Sequence, residues 1–130
     1  MMGSDPVDRF IDAVQAAGFA ETDVFTHGAV SDTTVPGWRL QVRGVTELRE
    51  QYGKWFDQPA ELSEVRRTPL PDGELLEYTR AWTQDGVFHK ARHIHRLSVA
   101  DGGIVEDAHW CGGRWPESLV KEIAAAGHTV

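Results

Sequence analysis

The chain has 130 residues, 41% of them hydrophobic, and its thirteen basic and twenty acidic side chains give a formal net charge of -7. This size and composition predict one folded domain with a single core, because roughly two-thirds of the unfolded surface is buried at such lengths. The negative charge repels phosphate backbones and anionic lipids, so we expect no nucleic-acid partner and no membrane partner.

The sequence also indicates where the protein is located and whether disulfides hold its fold. The amino terminus lacks the basic-then-apolar order of a signal peptide, and the apolar stretches fall short of the ~20 residues of a membrane helix. We therefore expect a cytoplasmic location. The only cysteine, Cys111, cannot form an internal disulfide, so the fold must be held by packing.

The chain begins with an amphipathic helix. Asp5, Pro6 and Asp8 provide a capping side chain, a residue suited to the first helical position and an acid in the first turn. Apolar residues follow at helical spacing until Gly18 ends the run. A short second helix over residues 21–26 is predicted to cover part of the apolar stripe.

From Ala29 to Arg43 apolar and polar residues alternate, which predicts two short strands joined by a turn at Pro36-Gly37. Helical spacing returns after Gly44 and predicts a longer helix that ends near Phe56.

Four further strands are predicted after Pro59, because Asp-Gly turns separate runs of alternating residues. Short turns force antiparallel neighbours, so these strands form a meander. A last helix is predicted over residues 116–126, with Pro116 at its start. The predicted strands are Leu62–Leu70, Glu74–Thr83, Val87–Val99 and Ile104–Cys111.

This order of elements, with VPGWRLQVRG before the central helix and DGGIVEDAHW in the last strand, resembles the SnoaL-like branch of the nuclear-transport-factor-2-like superfamily. The resemblance covers nearly the whole chain as one domain, residues 1–130, and the helix 116–126 is an extension. It implies an α+β fold in which a cone-shaped, curved antiparallel or mixed sheet wraps around helices and encloses a pocket. The superfamily contains isomerases, dehydratases, cyclases, epoxide hydrolases and non-catalytic domains, so the fold leaves the function open.

Two histidines of the strand Val87–Val99 are the first candidates for chemistry. Alternation places His93 and His95 on the interior face, about 6 to 7 Å apart along the chain. Histidine suits proton transfer near neutral pH because its ordinary pKa lies close by. The alternative is that both are hydrogen-bonded core residues.

The resemblance adds Asp32, since catalytic relatives carry a carboxylate near this point that acts as a base or orients a histidine. In ketosteroid isomerases the base aligns about one residue later, at Thr33, and a shift by one residue would reverse the face. Asp32 could instead cap a turn at Thr33-Thr34.

The last strand leaves its orientation open, because both Ile104 and Val105 are apolar. If one set faces inward, Asp107 and His109 join the histidine pair, and Asp107 becomes a fourth catalytic candidate. The opposite orientation turns Glu106 and Trp110 inward, and a third alternative is a salt-bridged edge.

Large side chains on the predicted inner faces are candidates for the pocket wall, although aromatic pairs also build cores. The candidates for the pocket wall are Trp38, Leu40, Tyr52, Phe56, Tyr78, Trp82, His109 and Trp110.

No metal site and no cofactor are predicted, because the sequence lacks an HxxxH helix and a CxxC pair. The leading hypothesis is a pocket for a small apolar molecule, with cofactor-free general acid/base chemistry such as isomerisation, dehydration or cyclisation. The alternatives are a non-catalytic ligand-binding or dimerisation module and an interaction domain that docks on another protein. Dimers are common in the resembling family, so we also expect a homodimer.

Overall fold

The structure is a computed structural model that describes residues 5–129. Its helices and strands follow the predicted order, apart from the short helix near residue 21 and a two-residue strand, Trp115–Pro116, which was not predicted. In chain order the elements are α1 (Pro6–Ala16), β1 (Phe25–Val35), β2 (Trp38–Arg43), α2 (Val45–Trp55), β3 (Glu61–Leu70), β4 (Gly73–Gln84), β5 (Val87–Ala100), β6 (Gly103–Cys111), β7 (Trp115–Pro116) and α3 (Glu117–Ala125).

The strands form one curved, mixed sheet in the order β2-β1-β6-β5-β4-β3, with the short β7 paired to β5. The predicted antiparallel meander from β3 to β6 is confirmed. The sequence did not predict that β1 runs parallel to β6, and this pairing brings Ser31 beside Asp107 and Thr33 beside His109. Strands far apart in the chain therefore share one inner face.

Helix α1 begins as predicted, because the Asp5 carboxylate accepts hydrogen bonds from the backbone N–H groups of Val7 at 2.7 Å and Asp8 at 3.0 Å. The short helix predicted over residues 21–26 is wrong, since β1 already begins at Phe25. So short a segment gains too few helical hydrogen bonds to offset nucleation, and strand pairing with β6 wins.

Helices α1 and α2 cover the inner face of the sheet through an aromatic core. The Phe10 and Phe19 rings meet edge to face at 5.2 Å, and Tyr52 of α2 lies 5.1 Å from Phe25 of β1. All four side chains are buried. Such pairs add about 0.5–1.5 kcal/mol each beyond the burial of apolar area, so α2 is held firmly over the strands. Among residues 5–129, none of the helices is long and apolar enough to cross a membrane.

Candidate functional site

A cavity of about 380 Å³ opens between the end of α2 and the inner face of the sheet. Its wall is mainly apolar, with Trp55 and Phe56 from α2 and the residue after it. Most of the polar groups on the wall come from strands, including Arg80 of β4, His93 of β5 and His109 of β6, and Arg114 comes from the loop before β7. A mainly apolar cavity with a few convergent polar groups is typical of small-molecule sites.

The predicted interior placement of the histidine pair is confirmed, since His93 is 7% exposed and His95 is fully buried. The orientation of β6 is settled by its antiparallel pairing, which sets His109 opposite His95 and Asp107 opposite Leu97. Asp107 and His109 therefore face inward and are buried as well. The catalytic roles of these residues stay predictions.

A hydrogen-bonded chain begins at the cavity wall. Nδ1 of His93 lies 2.9 Å from Nε2 of His109, and Nδ1 of His109 lies 3.4 Å from the Thr33 hydroxyl. The first pair joins neighbouring strands diagonally, and the second joins β6 to the parallel strand β1. Both contacts are buried, so water does not compete for them.

The hydrogen-bonded chain continues from Thr33 into the interior of the protein. The Thr33 and Ser31 hydroxyls are 3.2 Å apart, and Ser31 lies 2.8 Å from the Tyr52 hydroxyl. Tyr52 then donates to Oδ2 of Asp107 at 2.5 Å. Burial of the ring, followed by the charge of Asp107, raises the pKa of Tyr52 well above its ordinary value. Tyr52 therefore stays protonated and keeps its hydrogen for the carboxylate.

Asp107 also accepts a hydrogen bond from a second donor, His95. Nδ1 of His95 lies 2.9 Å from Oδ2 of Asp107, and Nε2 of His95 lies 2.9 Å from the Tyr78 hydroxyl. Burial raises the pKa of Tyr78 well above its ordinary value, so this hydroxyl is a donor too. Tyr78 thus donates to His95, which donates to Asp107.

The donor in each link follows from counting hydrogens, because an ionised carboxylate only accepts and each hydroxyl has one hydrogen. Tyr52 gives its hydrogen to Asp107, so Ser31 must donate to Tyr52. Thr33 must then donate to Ser31, and Nδ1 of His109 must carry the hydrogen that reaches Thr33. All these hydrogen bonds point toward the carboxylate.

The same count fixes the state of the histidine at the cavity. Since Nδ1 of His109 is protonated in the neutral ring, its Nε2 accepts from Nδ1 of His93. Nε2 of His93 is left as a bare lone pair, and it is buried without a hydrogen-bond partner among residues 5–129. Burial, as the largest cause, holds the pKa of His93 well below its ordinary value, and the nearby cation of Arg80 lowers it further. His93 is thus a neutral imidazole at pH 7.

The structure corrects the placement of Asp32. Alternation along β1 turns Ser31 and Thr33 inward, so Asp32 lies on the outer face. There Arg39 binds both of its carboxylate oxygens and Gln41 binds one at 3.2 Å. Asp32 neither orients a histidine nor lines the cavity, and it lies within a strand, which excludes the alternative of a turn cap.

Three predicted wall residues also lie elsewhere. Trp38 is 70% exposed, because it begins the edge strand β2 directly after the turn. Leu40 is half-buried and lies outside the cavity lining. Trp110 belongs to the outward set of β6, opposite Ile94, and is 45% exposed. Alternation along a single strand was therefore too coarse a criterion to place these three side chains in the cavity.

The remaining wall candidates divide into two groups. Phe56 and His109 line the cavity. Tyr52 and Tyr78 lie behind it in the hydrogen-bonded network, and Trp82 packs behind Arg80, with its ring 4.2 Å from the guanidinium carbon.

The sequence prediction missed Ser31, Thr33 and Arg80 as parts of the site. Arg80 was detectable, since it alternates with Tyr78 and Trp82 on the inward set of β4. Ser31 and Thr33 belong to the site only because β1 pairs in parallel with β6. No local sequence pattern predicted this pairing.

Metal binding requires a separate test, because nitrogens of His93, His95 and His109 lie within 4.8 Å of one another. The rings of His95 and His109 stack at 4.0 Å with only 10° between their planes. Lone pairs lie in the ring planes, so stacked rings do not aim at one point as the ~2.0 Å bonds to zinc require. Both nitrogens of His95 already bond Tyr78 and Asp107. The donor geometry fits a hydrogen-bonded network better than a metal centre.

Solved structures of other proteins match this architecture over most of the chain. An NTF2-like protein from Anabaena variabilis superposes with a TM-score of 0.69, at 13% identity over 83% of this chain and 84% of that one. The chain has the nuclear-transport-factor-2-like fold. No protein-family model and no curated protein matches the sequence.

Two further structures of the NTF2-like type cover almost the full length. An LEH-like epoxide hydrolase from M. tuberculosis gives a TM-score of 0.65 at 17% identity, over 94% of this chain and 92% of that one. A protein of ketosteroid isomerase-like fold from Catenulispora acidiphila, in complex with trimethylamine, gives 0.64 at 10% identity, over 98% and 96%. At such identities the likeness establishes the fold and leaves the chemistry to the site.

Proposed function

We propose that this NTF2-like protein is a small-molecule enzyme that performs cofactor-independent acid/base chemistry, such as isomerisation, dehydration or cyclisation, on a mainly apolar substrate. The observation that carries the proposal is the unpartnered Nε2 of His93, a residue that lines a mainly apolar cavity. A neutral imidazole in such a place is a competent general base. The presence of an epoxide hydrolase among structures of the same fold is consistent with chemistry in this cavity.

In the proposed reaction, His93 Nε2 takes a proton from a C–H bond of the substrate, and the electron pair of that bond stays on the substrate. The Nδ1 proton of His93 then shifts to His109, and each following hydrogen moves one link along the chain. The Tyr52 proton arrives on Asp107, which becomes neutral. No positive charge remains on a buried imidazole, where desolvation would make it costly.

After these transfers every hydrogen bond of the chain has the opposite direction. His93 is then the Nε2–H tautomer, which is a neutral acid. It returns the proton to another atom of the substrate while the hydrogens move back from Asp107. One proton thus leaves and re-enters the substrate through the same nitrogen, which suits isomerisation best. His95 and Tyr78 are positioning residues in this scheme, since His95 holds Asp107 and Tyr78 holds His95.

The test has a spectroscopic part and a chemical part. Long-range ¹⁵N–¹H correlation spectra should show His93 at pH 7 as a neutral ring without a proton on Nε2. Incubation with acetophenone, cyclohexanone and benzoylpropanoate in D₂O should exchange protons next to the carbonyl. His93→Gln should abolish the exchange, whereas the exposed control His27→Gln should retain it.

An ordinary titration of His93, near the pKa of about 6.5 of an exposed histidine, together with no response to any apolar compound, would remove the proposal. Exchange that persists in His93→Gln would assign the chemistry to another group.

We also propose a cytoplasmic homodimer that forms through the outer sheet face. The outward Trp110 and its partner Ile94 give that face an apolar spot, with Trp110 45% exposed. Sedimentation velocity at micromolar concentration should give a dimer, and Trp110→Lys should give a monomer. A wild-type monomer would refute this arrangement and leave the proposed chemistry untouched.

A further inference from the structure

We propose that the molecule bound in this cavity carries a carboxylate and that the guanidinium of Arg80 binds it. The inference rests on the proposed function, because it treats the cavity as the ligand site, and it narrows the substrate class to small apolar carboxylic acids. The residues that line the cavity include two guanidinium groups, those of Arg80 and Arg114, and no carboxylate.

The burial of Arg80 is unusual for a charged side chain. Arg80 points inward from the middle of β4, is 1% exposed and lines the cavity. One nitrogen donates to the backbone carbonyl of Gln58 at 3.2 Å, and Nε has no hydrogen-bond partner among residues 5–129. Arginine is almost never fully buried unless it is paired.

Aromatic contacts hold the guanidinium but do not neutralise it. Its carbon lies 4.2 Å from the Trp82 ring and 5.1 Å from the Phe56 ring. Within the described part of the chain, no Asp or Glu forms an ion pair with Arg80, whereas Arg114 has Asp57 at 3.8 Å. Burial lowers the pKa of Arg80 to about 10, so the group is still a cation at pH 7. A bound anion would supply the missing countercharge.

The register places this cation close to the proposed base. Arg80 pairs with Ala91, and Tyr78, two residues earlier on β4, pairs with His93. Arg80 and His93 are therefore diagonal neighbours, with backbones about 7–8 Å apart. The methyl group of Ala91, also on the cavity wall, leaves space between them. A carboxylate on Arg80 thus orients the adjoining carbons of the ligand toward Nε2 of His93.

The chemistry of the wall favours a carboxylate over a phosphate. A guanidinium presents coplanar N–H donors that match the two oxygens of a carboxylate. The cavity offers one such buried fork in mainly apolar surroundings, whereas a phosphate carries more charge and a third oxygen that would need further buried donors. The apolar remainder of the ligand would pack against Trp55 and Phe56.

Two probes of equal shape test the inference, hydrocinnamate and its neutral amide hydrocinnamide, with binding measured by calorimetry. The wild type should bind the carboxylate about tenfold more tightly or better. Arg80→Gln should reduce this preference to about onefold while hydrocinnamide binding stays within about twofold. Arg80→Lys, which keeps the charge, should retain part of the preference. Arg96→Gln, which removes an equal charge from the exposed face of β5, should behave as the wild type.

Equal binding of the two probes by the wild type would overturn the inference, and so would a preference that survives in Arg80→Gln. Failure of both probes to bind would overturn the inference together with the cavity as a ligand site. The failure of the proposed chemistry is distinguishable, since His93→Gln would then leave carbonyl exchange unchanged while the carboxylate preference persisted.

Discussion

Two carboxylates on adjacent strands have opposite environments in this protein. In the parallel register of β1 and β6, Ser31 pairs with Asp107 and Asp32 pairs with Ala108, so the two acids lie one step apart and face opposite sides of the sheet. Asp32 is half-exposed and bound by the cation of Arg39. Asp107 is fully buried and accepts hydrogen bonds from Tyr52 and His95.

The difference shows that position in the sheet decides what a carboxylate does. The hydrogen bond from Arg39 lowers the pKa of Asp32, but water screens the pair and it contributes little. Asp107 is fully buried, so the hydrogen bonds from Tyr52 and His95 are strong, and it is the group that accepts the proton in the proposed relay.

The largest effect is expected from Asp107→Asn. The amide group would present N–H donors to Tyr52 or His95, which are donors themselves, and at least one buried hydrogen bond would be lost. We expect the free energy of unfolding to fall by about 3 kcal/mol and carbonyl exchange to be lost. Urea denaturation and exchange measured by NMR check this. A stable, active variant would contradict the role of Asp107 as the end of the chain.

Tyr52→Phe should sharpen the comparison, because it interrupts the hydrogen-bonded chain between His93 and Asp107 at one position. Ser31 and Asp107 would each lose a partner, which costs about 1–3 kcal/mol, and His93-dependent exchange should fall about tenfold or more. Tyr78→Phe is the matched control, because it removes a buried hydroxyl from the other side of His95 and leaves the chain intact. Equal loss of exchange in the two variants would argue against the relay.

Acid should destabilise the fold through the buried imidazoles. Burial holds the pKa of His93 and of His109 below the unfolded value of about 6.5. Below pH 6.5 the unfolded chain binds protons that the folded chain does not. The free energy of unfolding should therefore decrease as the pH is lowered. The slope should approach about 1.4 kcal/mol per pH unit for each histidine until its folded pKa is reached.

Denaturant titrations between pH 7 and 5 measure this slope, and the double variant H93Q/H109Q should flatten it. Replacement of the exposed His27 by Gln should leave the slope unchanged. A slope that persists in the double variant would assign the acid sensitivity to other groups.

The smallest effect is expected from Asp32→Asn, on the outer face. Loss of a screened ion pair should change the free energy of unfolding by about 0.5 kcal/mol or less and leave exchange intact. The same urea and NMR measurements apply. A loss of activity comparable to that of Asp107→Asn would mean that the outer face contributes to the reaction.

Much of the fold and part of the site could be predicted before the structure. The inward placement of His93 and His95 followed from alternation along one long strand, a local property of an extended chain. Arg80 shares the inward set of β4, so its place was also readable, but an arginine between apolar neighbours does not itself signal a buried cation. Asp32 was assigned by alignment to a resembling family, and a shift of one residue was enough to reverse its face.

The sequence by itself determined the order of elements, the meander and the inward face of β5, because capping, turn residues and side-chain alternation act over a few neighbouring residues. Only the tertiary structure decided that β1 lies parallel to β6 and that α2 brings Tyr52 over both strands. These contacts join residues far apart in the chain, such as Thr33 and His109, which are 76 positions apart. Local patterns cannot encode such pairings, because the gain comes from burying one common face, and it is this burial that links His93 to Asp107.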